Sequence, residues 1–179
     1  MRKLRTIEIE RMSVEDFREA EKMPLVVVLD NIRSLHNVGS VFRTADAMRL
    51  QAVYLCGITA TPPNAEIHKT ALGGEESVGW KYFATADDAV EELRKDGYKI
   101  YSIEQAEGST MLNDFAADRS TPVAVVLGNE VKGVSQSVID KSDGCIEIPQ
   151  FGTKHSMNVS VTAGIIIWEL AKNYYFPKL

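Results

Sequence analysis

The chain holds only two cysteines, Cys56 and Cys145, far apart in sequence and each inside an apolar run that reads as a strand. This excludes a disulfide scaffold and fits a reduced protein in which cysteine serves as a small buried hydrophobe. Histidine is almost as scarce. His36, His68 and His155 show no ligand spacing and no cysteine pair accompanies them, so no metal site is expected. No apolar run approaches the roughly 20 residues of a membrane span. The start, MRKLRTIEIERMSVEDF, has no apolar stretch of the kind a secretory signal needs. A cytoplasmic protein without a membrane partner is expected. A basic surplus is also missing. Lys and Arg number 20 against 25 Asp and Glu, a net charge of −5, so a nucleic-acid partner would have to be held by a local basic surface. No GxGxxG follows a strand and no GxxxxGK[ST] occurs, which weakens an unrelated nucleotide-binding enzyme. No GxSxG elbow occurs either, which weakens a serine hydrolase.

What remains is 179 residues with 45% hydrophobic and 25% charged side chains, enough for one compact domain with a real core. Ser13 predicts a capped helix over Val14–Lys22. Leu25–Leu29 is an apolar run without alternation, as in a strand covered on both faces. A helical spacing follows in Val41, Phe42, Ala45 and Met48. Ala52–Cys56 reads as a second strand. Residues 65–79 are ambiguous, with Gly73-Gly74 breaking any helix. Lys81–Phe83 reads as a short strand, and Asp87–Lys95 as a helix capped by Thr85 and ended by Gly97. Strands follow at Tyr98–Ile103, Val123–Leu127 and Cys145–Ile148. Between them lie a variable connection, Ser109–Asp118, and a short helix, Ser135–Lys141. Asn158–Tyr175 is the longest helix, apolar around most of its circumference, so one face is expected to meet another subunit. Strand–helix alternation without repeat or linker predicts a single-domain α/β fold with a largely parallel sheet flanked by helices.

Three of these apolar runs end directly in polar residues: LVVVLDNIRSLHNVGSVFRTADA (Leu25–Ala47), PVAVVLGNEVKGVS (Pro122–Ser135) and CIEIPQFGTKHSMNVSVTAG (Cys145–Gly164). Parallel sheets bind ligands outside the carboxyl ends of their strands, so the three ends predict one composite site. The first run contains Asn37-Val-Gly-Ser-Val-Phe-Arg43-Thr-Ala45. The second contains Leu127-Gly128-Asn129-Glu130 followed by Gly133. The third contains Ile148-Pro149 and then Ser156-Met157-Asn158-Val159-Ser160. Together, in this order, they resemble the three motifs of the SpoU/TrmH branch of the SPOUT methyltransferases, and the resemblance spans roughly Leu25 to Leu170.

The resemblance implies an α/β sheet whose C-terminal part forms a deep trefoil knot, a homodimer, and S-adenosyl-L-methionine as cofactor. It implies methyl transfer to a ribose 2′-hydroxyl of tRNA or rRNA. Arg43 matches the family's catalytic arginine. A guanidinium keeps its proton throughout the working pH range and is no base, so Arg43 is expected to grip a phosphate and stabilise alkoxide character while a substrate phosphate or water takes the proton. Asn37 matches the motif asparagine and is expected to orient Arg43, hold the ribose or cap its helix. Gly39 would permit a tight turn or close substrate approach. Glu130 would fix Arg43 or a loop amide, or accept the proton. Ser156 and Asn158 would cap the last helix while holding the site. Gly128, Ile148 and Met157 match the cofactor pocket, with Ile103 and Leu127 as further strand-end candidates. Met157 replaces a leucine common in the family, a swap that keeps volume. Arg33, His36, Arg49, Lys69, Lys132 and Lys154 are candidate phosphate contacts, whereas the acidic helix from Asp87 to Asp96 should face away from RNA.

Residues 1–23 are expected to form a short extension and 24–179 the methyltransferase domain. Recognition would then rest on the core, the extension and the partner subunit. A catalytically silent RNA-binding module on the same fold is the rival reading.

Overall fold

The computed structural model describes residues 1–176, so the expected domain end at 179 lies outside the described residues. Strand β1 (Met23–Asp30) explains the absence of alternation in its sequence. Leu25, Val27 and Leu29 enter one apolar cluster and Val26 and Val28 enter another on the opposite face, so both faces are covered. Around it lie β2 (Leu50–Cys56), β3 (Gly79–Phe83), β4 (Lys99–Ile103), β5 (Thr110–Met111), β6 (Val123–Leu127) and β7 (Gly144–Glu147). The sheet order is β3-β2-β1-β6-β4-β7-β5, and every pairing between these strands is parallel. The chain first builds outward through β2 and β3, then crosses over to place β4, β6 and β7 on the other side of β1. Such sheets bind ligands outside the carboxyl ends of their strands.

One face of the sheet carries α1 (Val14–Glu19), α2 (Leu35–Ala47) and α7 (Val159–Tyr175); the other carries α5 (Ala86–Lys95) and α6 (Gln136–Lys141). Helix α1 is shorter than the expected Val14–Lys22. Ala20 turns extended, and the Lys22 ammonium ties off the carbonyls of Phe17, Arg18 and Ala20. The ambiguous stretch resolves into α3 (Ala65–Ala71), capped by Asn64, and α4 (Gly74–Ser77). Leu72 and Gly73, at φ +52° and +94°, make the break between them. The expected variable connection contains the edge strand β5, two residues paired to β7.

Gly39 has a role other than the expected turn or substrate approach. It lies inside α2, and a Cβ there would collide with the Ile67 carbonyl and the Thr70 hydroxyl of α3 and stand 3.0 Å from the Ala71 amide. The missing side chain lets α3 pack tightly on α2. Both cysteines are free. Burial, with Asp30 and Asp88 nearby, pushes the Cys56 thiol up to about 12, so it behaves as an inert core group.

Candidate functional site

A cleft of about 750 Å³ opens beyond the carboxyl ends of β4, β6 and β7. Its floor is apolar: Ile103, Leu127 and Ile146 at the three strand ends, with Ile148 and Met157 beside them. Its walls are two loops, residues 128–135 after β6 and residues 148–158 before α7. Most of the expected site residues gather here: Ile103, Leu127, Gly128, Glu130, Ile148, Ser156, Met157 and Asn158 all line the cleft. Asn37 adjoins it through hydrogen bonds. Arg43 does not line it.

A hydrogen-bond chain joins the three motifs. Asn37 Nδ2 donates to Glu130 Oε1 at 3.1 Å, and Asn158 Nδ2 donates to Asn37 Oδ1 at 3.1 Å. Asn37 is only 8% exposed, so both halves of its amide are satisfied inside the protein. It is not the helix cap. That position belongs to Ser34, whose hydroxyl accepts from the Asn37 amide at 3.3 Å, which frees the Asn37 side chain for the network. Asn158 caps its helix, as expected, and also joins the network. Its Oδ1 caps α7 by accepting from the Ser160 amide at 2.8 Å, while its Nδ2 reaches Asn37. Ser156 is exposed, precedes the cap and faces the cleft.

Glu130 does not touch Arg43. Its two oxygens accept from the Arg33 and Ser34 amides at 2.9 and 3.0 Å, as well as from Asn37. The carboxylate sits at the start of α2, where a negative charge is favoured. Burial works to raise its pKa, but the amides of Arg33, of Glu130 itself and of Ser34, with the Asn37 side chain, outweigh it and hold the pKa below the usual carboxylate value. A carboxylate so engaged is a weak base, and its geometry serves orientation. Because the folded-state pKa is depressed, its stabilising contribution is present above the unfolded value and is lost as pH falls through the folded one. Acidification from about pH 6 to about pH 3 should therefore lower the melting temperature more in the native protein than in Glu130→Gln, which cannot titrate. Parallel acid profiles for the two, followed by circular dichroism, would contradict this.

Gly128 serves its own loop first. A Cβ there would overlap the backbone of Gly133 and Val134, which folds back through mutual hydrogen bonds between Asn129 and Gly133 of 3.1 and 2.9 Å. Asn129 Nδ2 ties the same loop to the Asn31 carbonyl at 2.7 Å, and the buried Asp30 accepts from the Ser135 amide and hydroxyl at 3.2 and 3.1 Å. Glu104 and Gln105 are among the lining residues that no motif in the sequence marks. They directly follow β4, so the rule that singles out the other three strand ends would have found them.

Arg43 is exposed on α2, and its side chain makes no hydrogen bond or ion pair among the described residues. Neither Asn37 nor Glu130 orients it. Among the other candidate cations, Lys69 pairs with Glu66 at 2.6 Å and His36 contacts the same carboxylate at 3.3 Å. Arg49 precedes β2 and lies at the amino end of the sheet over Tyr175, away from the cleft. Outside the cleft, His68, Glu75 and Glu76 bring ligand atoms within 4.8 Å of one another. There Glu75 already bonds His68 and the Gly73 amide.

A cleft at the carboxyl ends of a parallel sheet, walled by two strand-end motifs and hydrogen-bonded to a third, matches the domain of the SpoU/TrmH type. The chain belongs to the SpoU rRNA Methylase family, whose model matches residues 24–168. It is 34% identical over 146 residues to the 23S rRNA (guanosine-2′-O-)-methyltransferase RlmB of Neisseria meningitidis, covering 82% of this chain and 57% of that protein. Among solved structures, the TrmH/SpoU tRNA modifying enzyme of A. aeolicus matches with a TM-score of 0.79 at 25% identity, over 90% of this chain and 82% of that one. The AdoMet-bound rRNA methyltransferase of Sinorhizobium meliloti matches with a TM-score of 0.78 at 25% identity, over 90% and 61%. The chain spans about three fifths of the length of the curated relatives it matches.

Proposed function

We propose that this chain is an S-adenosyl-L-methionine-dependent RNA methyltransferase that methylates a ribose 2′-hydroxyl in tRNA or rRNA. The observation that carries this reading is the Glu130–Asn37–Asn158 hydrogen-bond chain, which locks three motifs distant in sequence around one cleft. The cleft suits the cofactor. Its volume lies in the range of small-molecule sites, with an apolar floor for a flat base and polar loop groups above it. When bound, the cofactor supplies an electrophilic methyl group. Ile103, Leu127, Ile148 and Met157 would hold it, with Ser156 and the loop backbone supplying polar contacts. Glu130, Asn37 and Asn158 hold the start of α2 and the start of α7 in register. Arg43, free of internal partners, would grip a substrate phosphate and offset charge growing on the attacking oxygen. A phosphate oxygen or water would take the hydroxyl proton.

The relatives' names support RNA as substrate class, and an AdoMet-bound neighbour supports the cofactor. We assign residues 24–179 to this domain, 1–23 to an extension, and the protein to the cytoplasm; no helix among the described residues is long and apolar enough to cross a membrane. A trefoil knot in the C-terminal part accords with the likeness to these folds and with the layout of the chain. β7 lies beyond β4, yet the segment after it returns to place Asn158 against Asn37. The test of function is calorimetry with S-adenosyl-L-methionine, followed by mapping of 2′-O-methyl sites on tRNA and rRNA incubated with the purified protein. No binding and no new sites would leave a silent RNA-binding module.

The homodimer rests on α7. Its inner face is buried, but Val161, Ile165 and Trp168 form an exposed stripe at 53%, 36% and 50%. These positions share one side of the helix, and such a stripe on a surface helix marks an interface. Light scattering at micromolar concentration should give twice the chain mass for the native protein and a monomer for Trp168→Glu. A native monomer would contradict the dimer.

A further inference from the structure

β4 stands between β6 and β7, so its end lies midway between the two loops that wall the cleft. Two consecutive residues leave that end and reach opposite ways. Glu104 Oε2 accepts from the Val134 amide at 3.0 Å, and its Oε1 accepts from the Gln105 amide at 2.9 Å. Its carboxylate occupies the space where a side chain of Gly133, at φ +70°, would otherwise sit. Gln105 Nε2 donates to the His155 carbonyl at 2.9 Å in the other loop. All five residues line the cleft.

We propose that Glu104 and Gln105 form a two-sided clasp that sets the distance between the cleft's walls and thereby its affinity for S-adenosyl-L-methionine, an inference that rests on reading the cleft as the cofactor site. Each wall is a loop, so its position depends on the individual contacts that tie it down. Holding both loops near their bound separation before the ligand arrives removes part of the ordering cost of binding. The pair are positioning residues. Glu104 acts on the loop that carries Glu130, and Gln105 acts on the loop that carries Ser156 and Met157.

The division of labour makes the inference testable. Gln105 is exposed, so Gln105→Leu, which keeps the bulk and deletes the donor, should fold as the native protein does. It should weaken cofactor binding by about tenfold, the scale of one lost hydrogen bond with loop ordering. The turnover at saturating cofactor and RNA should fall less than the affinity does. Hydrogen exchange should quicken in residues 148–158 and stay unchanged in 128–135. Glu104→Gln weakens the acceptor and should show the mirror pattern, faster exchange in 128–135 alone. The two losses should add, because they act on different walls. Calorimetry with S-adenosyl-L-methionine on the full chain reads the affinities. Native binding with unchanged affinity in both variants overturns the clasp alone. A fall in turnover with affinity held overturns it also. A native chain that binds no S-adenosyl-L-methionine overturns the cofactor reading, and this inference with it.

Discussion

Arg43→Ala should lower methyl transfer by about 10²–10³-fold, the usual cost of deleting one group aimed at transition-state charge, while cofactor affinity stays near that of the native protein. The separation follows from where the residue sits. Arg43 lies on the exposed side of α2, outside the cleft lining, and its side chain has no hydrogen bond or ion pair among the described residues. Its removal strands no buried partner, and alanine is the best helix former for the position it vacates. The folded protein loses nothing, and the cofactor pocket loses no wall. What disappears is a guanidinium able to form two parallel hydrogen bonds with a phosphate and to face a developing alkoxide. Arg43→Lys should recover only part of the loss, since an ammonium keeps the charge without the planar fork. Single-turnover transfer to tRNA and rRNA, beside calorimetry on each variant, measures both halves. Unchanged transfer in Arg43→Ala would remove it from the mechanism; equal losses of transfer and cofactor affinity would make it a pocket residue.

The free state of Arg43 also shows how the site divides between what sequence reveals and what only packing reveals. β1 and β6 were legible because a strand covered on both faces must be apolar throughout, and because polar residues placed directly after such a run stand at the carboxyl edge of a parallel sheet. Val123–Leu127 is observed with the expected bounds. The residues brought to the cleft are largely those that two of the three strand ends, after β6 and β7, point to. The hydrogen-bond partners were not legible. Asn37 reads as a cap, yet Ser34 takes that place, and the amide of Asn37 is spent on Glu130 and Asn158, 93 and 121 residues away. Nothing in local spacing encodes a contact over such separations. Gly39 fails in the same way: its small size answers to α3, an element whose sequence carries Gly73-Gly74 nearby and reads as broken. Glu104 and Gln105 were legible in principle. No motif marks them, because Ser109–Asp118, just beyond, shows no pattern.

Gly128→Ala is the smallest change with a large expected cost, and it tests whether the β6 loop must fold back on itself for the site to exist. The added methyl would meet backbone atoms of Gly133 and Val134. Backbone has no rotamer by which to yield, so relief requires the loop to swing. That loop is tied at several points: Asn129 to the Asn31 carbonyl, Val134 to Glu104, Ser135 to Asp30, and Glu130 to the Arg33 and Ser34 amides. Swinging it would break several of these bonds, each worth about 0.5–1.5 kcal/mol and more where a carboxylate accepts. Holding it would leave the overlap, typically about 1–3 kcal/mol for an overpacked methyl. Either course should destabilise the protein by about 1–3 kcal/mol, lowering the melting temperature by about 2–4 °C per kcal/mol in a chain of this size. Because the same loop walls the cleft, cofactor affinity should fall with it. Gly152→Ala is the control. It lies in the opposite wall, and its added Cβ meets nothing within 4 Å, so its melting temperature should match the native protein. Thermal unfolding and calorimetry on the two variants measure the contrast. A native-like melting temperature and affinity in Gly128→Ala would mean that the loop has another stable course, and that the Glu130–Asn37–Asn158 chain does not depend on this one.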